Sequence, residues 1–164
     1  MKIIVLSDSH GSSLDIKRAL KKHPDADLAI FLGDGVDDFF SNQPRFPEIA
    51  FMAVRGNCDI GTADKYSLRA AEEITLEGKR IFFCHGHTYG VKGGQGNLIS
   101  AARAREADIA LFGHTHTPTE QYLPEDEDGG ALYLVNPGSI GRDSHTYALI
   151  TIRDGGILVS HGRV

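Results

Sequence analysis

The sequence predicts an α/β fold built from two packed, mostly mixed β-sheets flanked by helices. Three observations carry that prediction. The chain opens strand–helix–strand, which argues for parallel strands joined by right-handed crossovers. Its middle holds a hairpin pattern, and its last third is a run of short strands separated by acidic or glycine-rich turns. With 164 residues, 41% of them hydrophobic and 24% charged, the chain fits one domain over 1–164 with a substantial core. It has no internal repeat and no linker, so two packed sheets in one domain is the economical arrangement.

The elements follow in order. Residues 2–8 (KIIVLSD) form a nearly continuous β-branched run, as a strand buried on both faces should. Residues 12–23 (SSLDIKRALKKH) space Leu14, Ile16, Ala19 and Leu20 as an amphipathic helix, with Ser12 or Ser13 placed to cap it. A second strand covers 27–34 (DLAIFLGD) and a third 49–57 (IAFMAVRGN). Two apolar runs around Glu77-Gly78, within 72–86, make an antiparallel hairpin. Residues 97–107 are helical and 108–114 (DIALFGH) form another buried strand. Short strands over 119–123, 131–136, 146–154 and 156–161 complete the chain, the last two joined at Asp154-Gly155, a good hairpin turn.

Charge and composition exclude several classes. The net charge is −5, from 17 Lys+Arg against 22 Asp+Glu, so no phosphate-backbone footprint exists and stable binding of duplex nucleic acid is not expected. Part of the acidity lies in PEDEDGG (124–130), read as a solvated turn between two strands. The opening MKIIVLSDSHG is too short for a signal peptide and reads as the first strand. No apolar run approaches the ~20 residues of a membrane span, so no membrane is expected as a partner. Cys58 and Cys84 form no disulfide framework and read as reduced thiols in the cytoplasm.

The polar residues gather where strands stop. The first strand ends SDSHG, the second LGDG, the third RGNCD, the hairpin's second arm CHGH and the next strand GHTH. In open α/β sheets that edge is where sites are built. Five of the eight histidines, His10, His85, His87, His114 and His116, lie in three of these motifs, while His23, His145 and His161 are isolated and read as surface or packing residues. In LFGHTHTP (111–118), persisting strand geometry would point His114 and His116 to one side, an arrangement that favours a metal over a lone hydrogen-bonded imidazole. Taken singly, each motif also fits a cap or a turn. Together, carboxylate, imidazole and carboxamide suit a divalent transition metal rather than calcium. No GxxxxGK(S/T) run is present, which excludes a P-loop nucleotidase.

The ordered series DSH, GD, GNCD, HG and GHTH resembles the calcineurin-like metallophosphoesterases. The compact length, the GNCD form and the later NPGS (136–139) are similar to the small bacterial phosphodiesterase branch, and the likeness runs from Asp8 to Ser139. The resemblance implies an α-β-β-α sandwich and a site for two divalent metals. Asp8, His10 and His116 would hold one ion; Asn57, His85 and His114 would hold the other; Asp34 would bridge them. Manganese is expected first, with iron, zinc and nickel also compatible with such donors. A hydroxide bridging the metals would attack the phosphorus of a small-molecule phosphodiester in line, while the metals and Asn57 neutralise the developing charge. The branch often forms dimers or larger assemblies, which implies a homo-oligomer. His87 matches no ligand of the family, and neither Ser7 nor Ser9 sits in a nucleophile–base constellation.

The pattern departs from the family at Cys58, where many relatives carry the histidine of Gly-Asn-His, which protonates the leaving oxygen or grips the phosphate. A thiol brings no positive charge and, at an ordinary pKa of ~8.5, donates a proton weakly. Asp59 adds a negative group placed to orient a ligand. Asn57, Cys58 and Asp59 are therefore the expected catalytic residues, and they fit a diester monoanion better than a monoester dianion. A phosphomonoesterase and a protein-binding scaffold of the same fold, such as the retromer subunit, are the alternatives. The complete ligand set favours catalysis.

Overall fold

The computed structural model describes residues 1–164, apart from the side chain of Ala63. The chain runs β1 (Lys2–Leu6), α1 (Ser13–Lys22), β2 (Leu28–Phe31), α2 (Val36–Phe40), β3 (Ala50–Ala53), α3 (Thr62–Lys65), β4 (Ala71–Leu76) and β5 (Lys79–Cys84). It continues α4 (Gly96–Arg103), β6 (Ile109–Leu111), β7 (Thr119–Leu123), β8 (Leu132–Asn136), β9 (Thr146–Arg153) and β10 (Gly156–Arg163). The strands form two five-stranded sheets, ordered β10-β9-β1-β2-β3 and β4-β5-β6-β8-β7. Each has a parallel centre, β1-β2-β3 in one and β5-β6-β8 in the other, with antiparallel additions. The mixed two-sheet architecture expected from the sequence is the one observed.

Alternation along the strands builds the layers. Ile3, Val5, Ile30 and Leu32 of the first sheet meet Ile81, Phe83, Ile109, Leu111 and Val135 of the second in a core between the sheets. The intervening Ile4, Leu6 and Phe31 point outward and are covered by Ile16, Ala19 and Leu20 of α1 and Phe39 of α2. On the other side Phe82, Ala110 and Leu134 lie under Leu98 and Ala102 of α4. Both faces of the central strands are therefore covered, which is why they read as unbroken apolar runs. Each buried Ile, Leu or Phe contributes about 1.5–3 kcal/mol. That exceeds the ~1 kcal/mol span of strand propensity, so packing fixes these strands.

Both anticipated hairpin turns form. Glu77-Gly78 and Asp154-Gly155 have φ of 50° and 75°, and of 52° and 77°, the paired positive values that a type I′ turn requires. Other boundaries differ from the sequence reading. The third strand ends at Ala53 rather than Asn57, because the chain leaves the sheet there and the Arg55 N–H donates to Arg69 O at 2.9 Å. The fourth helix ends at Arg103, and the Ala107 N–H closes the following turn on Ala102 O. Ser12 stands at the N-cap of α1 without capping it; its hydroxyl donates instead to Asp15 Oδ2 at 2.7 Å. The acidic turn lies between β7 and β8 as expected, but it is anchored: Arg103 reaches both Asp126 oxygens at 2.7 and 2.9 Å. Among the described residues no helix is long and apolar enough to cross a membrane.

Candidate metal centre

Just past β1, β2 and β6 the backbone turns through an uncommon region. Asp8, His10, Asp34, His114 and His116 have φ of 55°, 44°, 60°, 68° and 59°. Such conformations cost on the order of 1–3 kcal/mol each and persist where surrounding contacts over-determine them. Here the contacts are explicit. The Asp8 N–H donates to Gly33 O at 2.9 Å, the His10 N–H to Asp34 O at 3.2 Å and the Gly113 N–H to His85 O at 3.0 Å. Two glycines allow this approach: a Cβ on Gly56 would collide with the Asp34 carboxylate, and one on Gly113 with the Ser7 hydroxyl.

The left-handed turns correct the strand geometry expected for 114–116. β6 stops at Leu111, and the two histidines fan out instead of sharing one side. His114 Nδ1 lies 3.2 Å from His85 Nε2, whereas His116 Nε2 lies 3.2 Å from His10 Nε2. Two groups of donor atoms result, Asp8–His10–His116 and Asp34–His85–His114, with a third, His10–Asp34–Cys58, overlapping both; the atoms of each lie within 4.8 Å of one another. Asp34 Oδ2 stands between the first two, 3.5 Å from His85 Nε2 and 4.0 Å from His10 Nε2. Asn57 Oδ1 joins the second group, 3.1 Å from His85 Nε2.

The donors are aimed inward by their other atoms. Asp8 Oδ2 accepts from the Ser7 hydroxyl and the His114 N–H, while Oδ1 is buried without a hydrogen-bond partner. The His85 Nδ1–H donates to Leu32 O at 2.7 Å and the His116 Nδ1–H to Asp143 Oδ2 at 2.7 Å, which leaves both Nε2 lone pairs facing the centre. Ring nitrogens 3.2 Å apart around an orphaned carboxylate oxygen make a crowded set of electron-pair donors, so the residues present fit divalent cations.

Electrostatics follow from the same crowding. Burial opposes ionisation of Asp34, but the hydrogen bond and charge of His85 and the Cys58 N–H outweigh it and hold the carboxyl well below the usual range. Burial alone would lower His85, yet Asp34 and Asp8 raise it. Burial and the charge of His85 push His114 down to about 4. Burial, then the hydrogen bond and charge of Asp34, drive the Cys58 thiol up to about 11.

The model of the calcineurin-like phosphoesterase superfamily domain matches residues 1–155. The chain belongs to that superfamily. Among relatives, the chain is 31% identical over 160 residues to the probable metallophosphoesterase YsnB of Bacillus subtilis, covering 94% of this chain and 86% of YsnB. It is also 31% identical over 160 residues to the phosphodiesterase YfcE of Escherichia coli, covering 85% of this chain and 79% of YfcE. The crystal structure of a Streptococcus pneumoniae protein described as a predicted phosphoesterase superposes with a TM-score of 0.75 at 27% identity, over 98% of this chain and 87% of that one.

The other singled-out residues fall beside these groups. Cys58 lies at the rim, its N–H donating to Asp34 Oδ1 at 2.7 Å and its sulfur 3.3 Å from Asn57 Nδ2. The His87 ring is 5.3 Å from that of His85 and 6.1 Å from that of His114, outside both groups, with a buried Nδ1 that has no partner. Asp59 sits against the loop that carries Asp34. Its buried carboxylate accepts the N–H groups of Asp34, Gly35, Val36 and Gly56 at 2.7–3.1 Å, so it clamps the loop that carries Asp34 and is occupied by backbone. Asn136 of the NPGS motif likewise holds backbone, its Nδ2 donating to Gly113 O at 3.0 Å. Asp143 escaped the sequence reading because it belongs to no strand-end motif and meets His116 only through the fold. The isolated histidines pack elsewhere, His23 against Tyr147 Oη and His161 against Asn136 O.

Proposed function

We propose that this metallophosphoesterase is a phosphodiesterase that works with two divalent metals, manganese first among them. Asp8, His10 and His116 would hold one ion, Asn57, His85 and His114 the other, and Asp34 would serve both. The observation that carries the reading is the buried Asp8 Oδ1, which has no hydrogen-bond partner and lies 3.2, 3.8 and 4.0 Å from the Nε2 atoms of His116, His10 and His85. Bound there, the cations supply an acidified water and neutralise charge at phosphorus.

The residues of the chain do the rest. Leu32 O and Asp143 keep His85 and His116 presenting Nε2. Asp59 fixes the backbone of Asp34, and the Asn57 amide nitrogen, which in the free chain donates to Cys58 Sγ, would donate to a phosphate oxygen. The preference for a diester rests on two features. Cys58, with its thiol near 11, brings no positive charge for a dianion. Cavities of about 350 and 240 Å³ open beside Asn57 and His87, and beside His10, Asp34 and Cys58, giving each ester arm its own room. The name of YfcE agrees with this ester class.

The test uses protein stripped with EDTA and reloaded with Mn²⁺. Elemental analysis should give two ions per chain. The kcat/KM for bis(p-nitrophenyl) phosphate should exceed that for p-nitrophenyl phosphate, with both activities lost on chelation. A protein that retains no metal, or one that prefers the monoester, refutes the reading.

A further inference from the structure

We infer that Asp143 is a positioning residue that fixes His116 with Nε2 free for the ion, making the Asp8–His10–His116 group the tighter of the two metal positions. The inference rests on the two-metal reading above. Asp143 Oδ2 lies 2.7 Å from His116 Nδ1. A carboxylate only accepts, so Nδ1 carries a proton and is committed to Asp143, which leaves Nε2, 3.2 Å from both Asp8 Oδ1 and His10 Nε2, as the nitrogen that faces the ion position. This settles which nitrogen can bind.

The second group is oriented by weaker means. His85 is turned by the neutral carbonyl of Leu32, and among the described residues the His114 ring makes no hydrogen bond except its contact with His85. The second group also has Asn57 where the first has the carboxylate of Asp8. An ionised acceptor makes a hydrogen bond roughly twice as strong as a neutral one. It also leaves the imidazole a better electron-pair donor.

The loop that presents Asp143 is fastened to the same site. The Ile140 N–H donates to Ser7 O at 2.9 Å, the Ser139 hydroxyl to Asp8 O at 2.8 Å and the Ser139 N–H to the Ser144 hydroxyl at 3.0 Å. Asp143 itself is exposed, so its pairing adds little to stability. The effect of removing it therefore belongs in metal affinity, where losing an outer partner of a ligand typically costs 10–100-fold.

The experiment titrates EDTA-stripped protein with Mn²⁺ by calorimetry, with equilibrium dialysis to count ions and Co²⁺ absorption to report the geometry of the first ion bound. The wild type should take up two ions in separable steps. Asp143→Ala should weaken the tighter step 10–100-fold, leave the weaker step within about threefold, and change the Co²⁺ spectrum of the first ion. Asp143→Asn keeps an acceptor without its charge and should fall between. The melting temperature of the metal-free protein should not move. Unchanged binding steps in Asp143→Ala overturn the inference while leaving the two-metal reading intact. So do equal wild-type affinities, or both steps weakening together with a fall in metal-free stability. A wild type that binds no ion overturns both.

Discussion

Cys58 occupies the place where a histidine would bring both a proton and a positive charge. Burial and Asp34 keep its thiol protonated near neutral pH in the metal-free chain. Diester cleavage with a good leaving group needs little from it. Cys58→Ala should therefore hold kcat/KM for bis(p-nitrophenyl) phosphate within about tenfold of wild type. A positioned general acid contributes roughly 10²–10⁴-fold. Cys58→His should accordingly raise cleavage of an alkyl monoester by roughly tenfold or more. Rates for both esters at matched metal loading decide the matter, and an unchanged monoester-to-diester ratio would remove position 58 from substrate choice. Asp59, the neighbouring residue, acts through the backbone. Asp59→Asn replaces a charged acceptor of four N–H groups with an amide that must turn donors toward some of them. A cost of about 2–4 kcal/mol follows from buried groups left unpaired. Urea unfolding of the metal-free protein measures it; stability equal to wild type would mean the clamp is dispensable.

At the scale of elements, the site is the meeting of strand ends, and the tolerance between them is less than one methyl group. Gly113 follows β6, and a Cβ there would strike the Ser7 hydroxyl and come 2.9 Å from Asp8 Oδ2. Gly113→Ala should displace Asp8 and lower the metal retained after dialysis well below that of wild type, while far-ultraviolet circular dichroism stays native. Full metal retention would show that the ends have slack. The same scale explains what could be read beforehand. The central strands announce themselves because both faces are apolar, as in Ile3–Leu6. The helices α2 and α3, of five and four residues, are too short to show a helical period, and α2 owes its start to the distant Asp59 carboxylate on the N–H groups of Gly35 and Val36. Asp8, His10, Asp34, Asn57, His85, His114 and His116 could be picked out because each sits in a strand-end motif. The backbone partners of Asp59 and the role of Asp143 could not, since most of the atoms they meet are 23–27 residues away in sequence. The positive φ of His114 and His116 likewise leaves no trace in the motif itself.

Across the whole molecule, the donors come from both sheets: Asp8, His10, Asp34 and Asn57 follow β1, β2 and β3, while His85, His114 and His116 follow β5 and β6. An ion in either group would tie one sheet to the other. Each position filled at a hundredfold excess over its Kd should add about 2.7 kcal/mol, or roughly 5–10 °C in Tm for a chain of this size. Thermal scans with EDTA and with Mn²⁺ test this, and a Tm indifferent to metal would deny the tie. The order of strands has a further consequence, for biosynthesis. β1 lies between β2 and β9, with Ile3 paired to Ile150. In a chain made from its amino end, Asp8 and His10 emerge first, yet the strand that closes the second edge of β1 emerges after every other donor, and so does Asp143. A nascent chain stalled before Thr146 displays the donors without their frame. On the two-metal reading, metal capture would then follow the pairing of β9 with β1, late in the making of the fold.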